Sequence, residues 1–140
     1  MSRAALPFLQ RLQRATNDHD LEALVDCFAA DYRNETPAHP GRSFSGAVQV
    51  RSNWSRIFTF VPDITAAIVS QAVDGSDVWS EWEMSGTRLD GTLHRMRGVI
   101  IFRLEGERAV SARFYLEPVD ESESTVDEAV QAHVHAGETP

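Results

Sequence analysis

Between Tyr32 and Gly46 the chain reads YRNETPAHPGRSFSG, and this stretch carries its best candidates for proton transfer. His39 offers an imidazole that titrates near neutrality, and Glu35 a carboxylate whose pKa an apolar pocket would raise. Either could move a proton in an aldol cyclisation, an isomerisation or a hydration. Asn34 and Thr36 in the same stretch, and His94 in a later hairpin, are candidate substrate-binding groups. Each acid/base candidate also has a plainer reading. Glu35 can pair with Arg33 or Arg42, and His39, flanked by Pro37 and Pro40, can be an exposed loop residue. Trp54 and Trp82 offer wide flat faces suited to an aromatic or polycyclic ligand, or to core packing with no ligand at all.

Other chemistries lack support. The sequence has no GxGxxG, GxxxxGK[ST], GxSxG or HExxH, so dinucleotide, nucleoside-triphosphate, serine-hydrolase and zincin reactions are not indicated. His133 and His135 would point in different directions on a helix, and no cysteine or third close histidine completes a metal shell. No cofactor and no metal are expected. Cys27, the single cysteine, sits among Leu24, Val25 and Phe28 and reads as a buried, inert thiol.

With 13 Lys+Arg against 21 Asp+Glu, the formal charge is −8, which repels phosphate backbones and anionic headgroups. Neither nucleic acid nor a membrane is an expected partner. The first residues, MSRAALPFLQRLQRA, hold no apolar run of signal-peptide length, and no stretch of about 18 apolar residues occurs. A cytoplasmic setting is expected. At 140 residues and 42% hydrophobic content, one domain can bury a core without disulfides or metal.

The candidate groups need elements to position them. Leu6, Leu9 and Leu12, beside Phe8, predict an amphipathic helix over residues 4–15. Asp20 can cap a second helix whose stripe is Leu21, Leu24, Val25 and Phe28, packed on the first as a hairpin. Residues 32–46, with two prolines and two glycines, supply at most a short strand followed by loop. A third helix is predicted over residues 47–60, with Val50, Trp54, Ile57, Phe58 and Val61 on the buried side and Pro62 ending it. Alternation then predicts strands at 64–73, 78–88, 93–104 and 109–118. Helices first and an antiparallel meander afterwards define a segregated α+β domain over residues 1–120. Residues 121–140 read as an acidic tail with a weak helix, able to dock on the body or on another subunit.

The string DHDLEALVDCFAADYRNETP and the later RMRGVIIFRLEGERAVSARFYLEPVD resemble the SnoaL-like branch of the NTF2-like superfamily. The resemblance covers about residues 4–120 and implies a cone, with three N-terminal helices packed on a curved antiparallel sheet. It also implies which chemistries are missing. The isomerase pattern's general base, helical tyrosine and protonated aspartate fall on Thr36, Leu12 and Ile100, and the epoxide-hydrolase arginine and two aspartates fall on Trp82, Met84 and Phe114.

By the same resemblance Trp82, Met84, Gly98, Ile100, Phe102, Ala112, Phe114 and Leu116 face an apolar cavity, while Glu81, Glu83, Arg97, Arg113, Tyr115 and Glu117 face outward. Asn34 and Thr36 reach the cavity by parity, and Glu35, His39 and His94 by proximity. The expected sheet charges, Arg88, Arg95 and Arg103 included, decorate one face and pair across strands. The outer face is the expected homodimer interface. The expected function is a cofactor-free acid/base enzyme of the cyclase, isomerase or hydratase kind, acting on an apolar polyketide, terpenoid or aromatic molecule. The alternative is a domain that binds a ligand or another chain without turnover.

Overall fold

A computed structural model describes residues 3–134. The first helix, α1 (Ala5–Asn17), buries Ala5, Phe8, Leu9, Leu12, Ala15 and Thr16. This i, i+3, i+4, i+7 stripe leaves Leu6 46% exposed, so Leu6 is not part of the buried set expected for it. Asp20 caps α2 (Leu21–Asp26) by accepting from the Ala23 amide at 3.1 Å. The helix stops sooner than its apolar spacing suggests, because Phe28 already belongs to the first strand, β1 (Phe28–Glu35), opposite Ala109. The Ala109 amide bonds the Cys27 carbonyl at 2.9 Å, and that pairing replaces a further helical turn. Cys27 is buried, and desolvation pushes its thiol pKa up, as an inert thiol requires.

After β1 come a 3₁₀ turn at Pro40–Arg42, the two-residue strand β2 (Phe44–Ser45) and α3 (Ala47–Phe60). The four long strands are β3 (Thr65–Asp74), β4 (Asp77–Thr87), β5 (Leu93–Glu105) and β6 (Arg108–Pro118). Sheet order is β2-β1-β6-β5-β4-β3, antiparallel throughout except where β1 runs parallel to β6. The α+β cone inferred from the sequence is therefore the architecture observed, with β1 added to the meander.

The core lies between α1 and the concave face of the sheet. The Phe8 ring meets Phe102 edge-on at 5.0 Å, and Phe102 meets Phe114 at 6.3 Å. Trp82 is 1% exposed, and its indole N–H donates to Ser80 Oγ at 2.8 Å, whose hydroxyl donates to the Ile100 carbonyl at 2.7 Å. Both polar groups are thus satisfied inside the core. The edge of β3 is tied to α1 by Asn17, which accepts from the Ala66 amide at 2.7 Å and donates to its carbonyl at 3.0 Å.

On the convex face Arg97 pairs with Glu83 at 3.2 Å and Arg103 with Asp77 at 2.9 Å, each between cross-strand neighbours. Trp79 and Tyr115 are 44% and 41% exposed on that face. The tail is held to the body by Arg95 and Glu121 at 2.7 Å. Its helix, α4 (Val126–Val134), buries no side chain and is not docked on the body.

Candidate functional site

Between α3, β1 and the sheet the cone holds a cavity of about 280 Å³. Trp54 and Ile57 of α3 face Met84, Met96, Phe114 and Leu116 of the sheet across it. The apolar wall follows from strand alternation. Met84 pairs with Met96, and Gly86 with His94, so residues 94 and 96 continue the inward set of β5.

Polar groups enter from two sides. Tyr32, Asn34 and Thr36 are two residues apart and share one face of the extended segment. The Tyr32 hydroxyl donates to Asn34 Oδ1 at 2.8 Å, and both side chains are buried. Burial pushes the Tyr32 phenol far above its ordinary range, so it acts as a hydrogen-bond donor and not as a base. From β5, His94 is partly buried at the cavity wall, where desolvation first and the Arg88 charge second lower its pKa. The imidazole is accordingly held neutral. Arg42, exposed in the 3₁₀ turn, also lines the cavity and forms no ion pair among the described residues.

Thr36 Oγ1 is shut off from solvent and has no hydrogen-bond partner. A buried hydroxyl left unpaired costs about 1–3 kcal/mol. Thr36→Val, which keeps the shape and removes that hydroxyl, is expected to stabilise the free protein by about 1 kcal/mol, a rise of roughly 3 °C in Tm. Calorimetry checks this, and a lower Tm would show that the hydroxyl is satisfied after all.

The two acid/base candidates are placed elsewhere. Glu35 alternates with Asn34 on β1, so its side chain is exposed on the opposite face, in register with Arg113. His39 does not line the cavity; its Nε2 lies 2.8 Å from Glu117 Oε1, with both side chains about two-fifths exposed, at 38% and 39%. Proximity in sequence misled for Glu35 because a strand turns every second side chain away, and for His39 because the turn after β1 carries it to Glu117 of β6. Trp82, Ile100 and Phe102 carry the inward parity expected of them but sit deeper, sealed in the core beside α1, and do not line the cavity. Asn34, Thr36, Trp54, Met84, His94 and Phe114 do line it.

Tyr32, Met96 and Leu116 were legible from the same alternation, although only Leu116 was expected at the wall. Arg42 had no such signal, since a turn places it, whereas Asn53, three residues after Val50 and four before Ile57 in the middle of α3, was legible from helical spacing. In the tail, His133 Nδ1 contacts the Ala129 carbonyl at 2.8 Å, and no cluster of three metal-ligating side chains exists among the described residues. His135 lies outside them.

Comparison with solved structures gives the same cone. IdmH, a proposed polyketide cyclase from Streptomyces antibioticus, superposes with a TM-score of 0.70 at 21% identity, covering 83% of this chain and 93% of that one. Rv0760c from Mycobacterium tuberculosis, solved with estradiol-17β-hemisuccinate, gives 0.69 at 18% identity, covering 81% and 94%. An M. tuberculosis epoxide hydrolase of the LEH-like kind gives 0.69 at 15% identity, covering 81% and 83%. At such identities these similarities show the fold alone. No curated protein matches the sequence. The SnoaL-like domain matches residues 9–112, from α1 to the middle of β6, a span that includes most of the cavity wall. With the cone and the greater part of its length accounted for in this way, the chain belongs to the SnoaL-like domain family.

Proposed function

We propose that the cone takes up a compact, largely apolar polyketide, terpenoid or aromatic molecule and moves a proton on it without a cofactor, as in a cyclisation, isomerisation or hydration. The observation that carries this reading is the neutral His94 imidazole at the wall of an otherwise apolar cavity. A neutral imidazole can take a proton from a carbon or hydroxyl acid and return it at another atom. Asn34 supplies amide N–H groups that can hold the oxygen on which charge develops meanwhile.

A second reading, binding without turnover, is favoured by a different observation. No carboxylate lines the cavity among the described residues, and the positions of the isomerase and epoxide-hydrolase groups hold Thr36, Leu12, Ile100, Trp82, Met84 and Phe114. One experiment separates the two. A panel of aromatic, terpenoid and polyketide compounds is screened by thermal shift, and each binder is then incubated and analysed for products. The proposal expects at least one binder to be converted; binding across the panel with no conversion overturns catalysis and leaves the binding domain.

A further inference from the structure

The polar groups of this cavity are unbalanced. Its titratable side chains are Tyr32, Arg42 and His94, with no Asp or Glu among them. Arg42 carries a full positive charge and has neither an ion pair nor a side-chain hydrogen bond among the described residues, whereas Arg51, Arg95, Arg97, Arg103 and Arg108 are each paired with a carboxylate. Asn34 engages its Oδ1 with the Tyr32 hydroxyl, which leaves its amide N–H groups as the free part of the side chain. Thr36 Oγ1 has no partner. The cavity therefore offers an exposed cation and buried N–H donors among walls that are otherwise mostly hydrocarbon. A group that complements it has acceptor oxygens and negative charge at one end and an apolar body.

Resting on the reading of the cone as a small-molecule site, we propose that its ligand is a compact ring compound bearing a carboxylate, with the ring between Trp54 and Phe114 and the carboxylate on Arg42. The planar guanidinium suits a carboxylate because two parallel N–H···O bonds can form. The cavity of about 280 Å³ lies at the small end of ligand sites, which run from roughly 300 to 1,000 Å³, so a bicyclic body fits the scale better than a long chain. Recognition runs against the field of the whole molecule, whose formal charge of −8 repels anions, so it must come from a local group.

The test compares 1-naphthoic acid with 1-naphthamide, which has the same ring and no charge, by isothermal titration at neutral pH. The native protein is expected to bind the acid roughly tenfold more tightly than the amide, the scale of one charge-assisted hydrogen bond. Arg42→Met should abolish that preference by weakening the acid alone. Arg33→Met, which removes an equal charge from the exposed opposite face of β1, should retain it. Equal affinities in the native protein, or a preference that survives Arg42→Met, overturn the carboxylate assignment while leaving the cone a small-molecule site. Failure of both compounds to bind at millimolar concentration overturns the assignment and counts against the small-molecule reading itself.

Discussion

Replacement of His94 by Gln is expected to lower kcat/KM on a converted substrate by about 10²-fold or more, the usual contribution of a positioned acid/base group. The fold should survive, because His94 is only partly buried and no hydrogen bond among the described residues uses its ring. His39→Asn and Glu35→Gln, which alter groups outside the cavity, should keep turnover near that of the native protein. The pH profile supplies an independent sign. Burial and the Arg88 charge lower the His94 pKa, so its basic form persists below the ordinary imidazole value of 6.5 and is lost only as pH falls through the depressed value. The acidic limb of kcat/KM should therefore lie below 6.5. Arg88→Met should move it part of the way up, since burial is the larger cause and remains. Full activity in His94→Gln, or an acidic limb above 6.5, would remove His94 from the mechanism.

Gly98→Ala is expected to be strongly destabilising. Gly98 has φ +150°, a conformation that L side chains rarely adopt, and a Cβ there would lie 2.0 Å from the Tyr115 carbonyl oxygen and 2.9 Å from Leu116 Cα. Its missing side chain thus points at the β6 backbone and not into the cavity, as simple alternation had it. Backbone atoms cannot yield as a side-chain tip can, so the β5–β6 pairing must part between Gly98 and Leu116. A cost of at least about 3 kcal/mol follows, or about 10 °C in Tm, measurable by calorimetry. Gly41→Ala is the control. Nothing lies within 4 Å of a Cβ at Gly41, and its stability should change by less than about 0.5 kcal/mol. Equal melting temperatures for the two variants would refute the steric argument.

Much of this architecture is local in origin. α3 spans Ala47–Phe60, the residues expected of it, because Val50, Trp54 and Ile57 repeat at helical spacing and Pro62 lacks the N–H to continue. β3 to β6 begin and end within a residue of the alternating runs, because Gly75-Ser76 and Gly106-Glu107 are turn-formers between β-favouring segments. Alternation likewise puts Met84 and Phe114 on the inner face, and Glu83, Arg97 and Arg113 on the outer one.

Depth and partnership are not local. Trp82 and Met84 share a parity and both are buried in the core cluster, yet only Met84 also lines the cavity, a difference that alternation along β4 cannot make. The end of α2 was set by Ala109, far along the chain, which recruits Phe28 into a parallel pair. His39 and Glu35 have the right chemistry in the right stretch, but Glu117 of β6 takes the first and the pleat of β1 exposes the second. Periodicity along the chain could therefore specify the helices, the strands and their segregated α+β order, while the family resemblance implied the cone and the apolar character of its wall. Which titratable group stands in the cavity depended on how distant strands and a turn meet, and that contact brought His94 and Arg42 there instead.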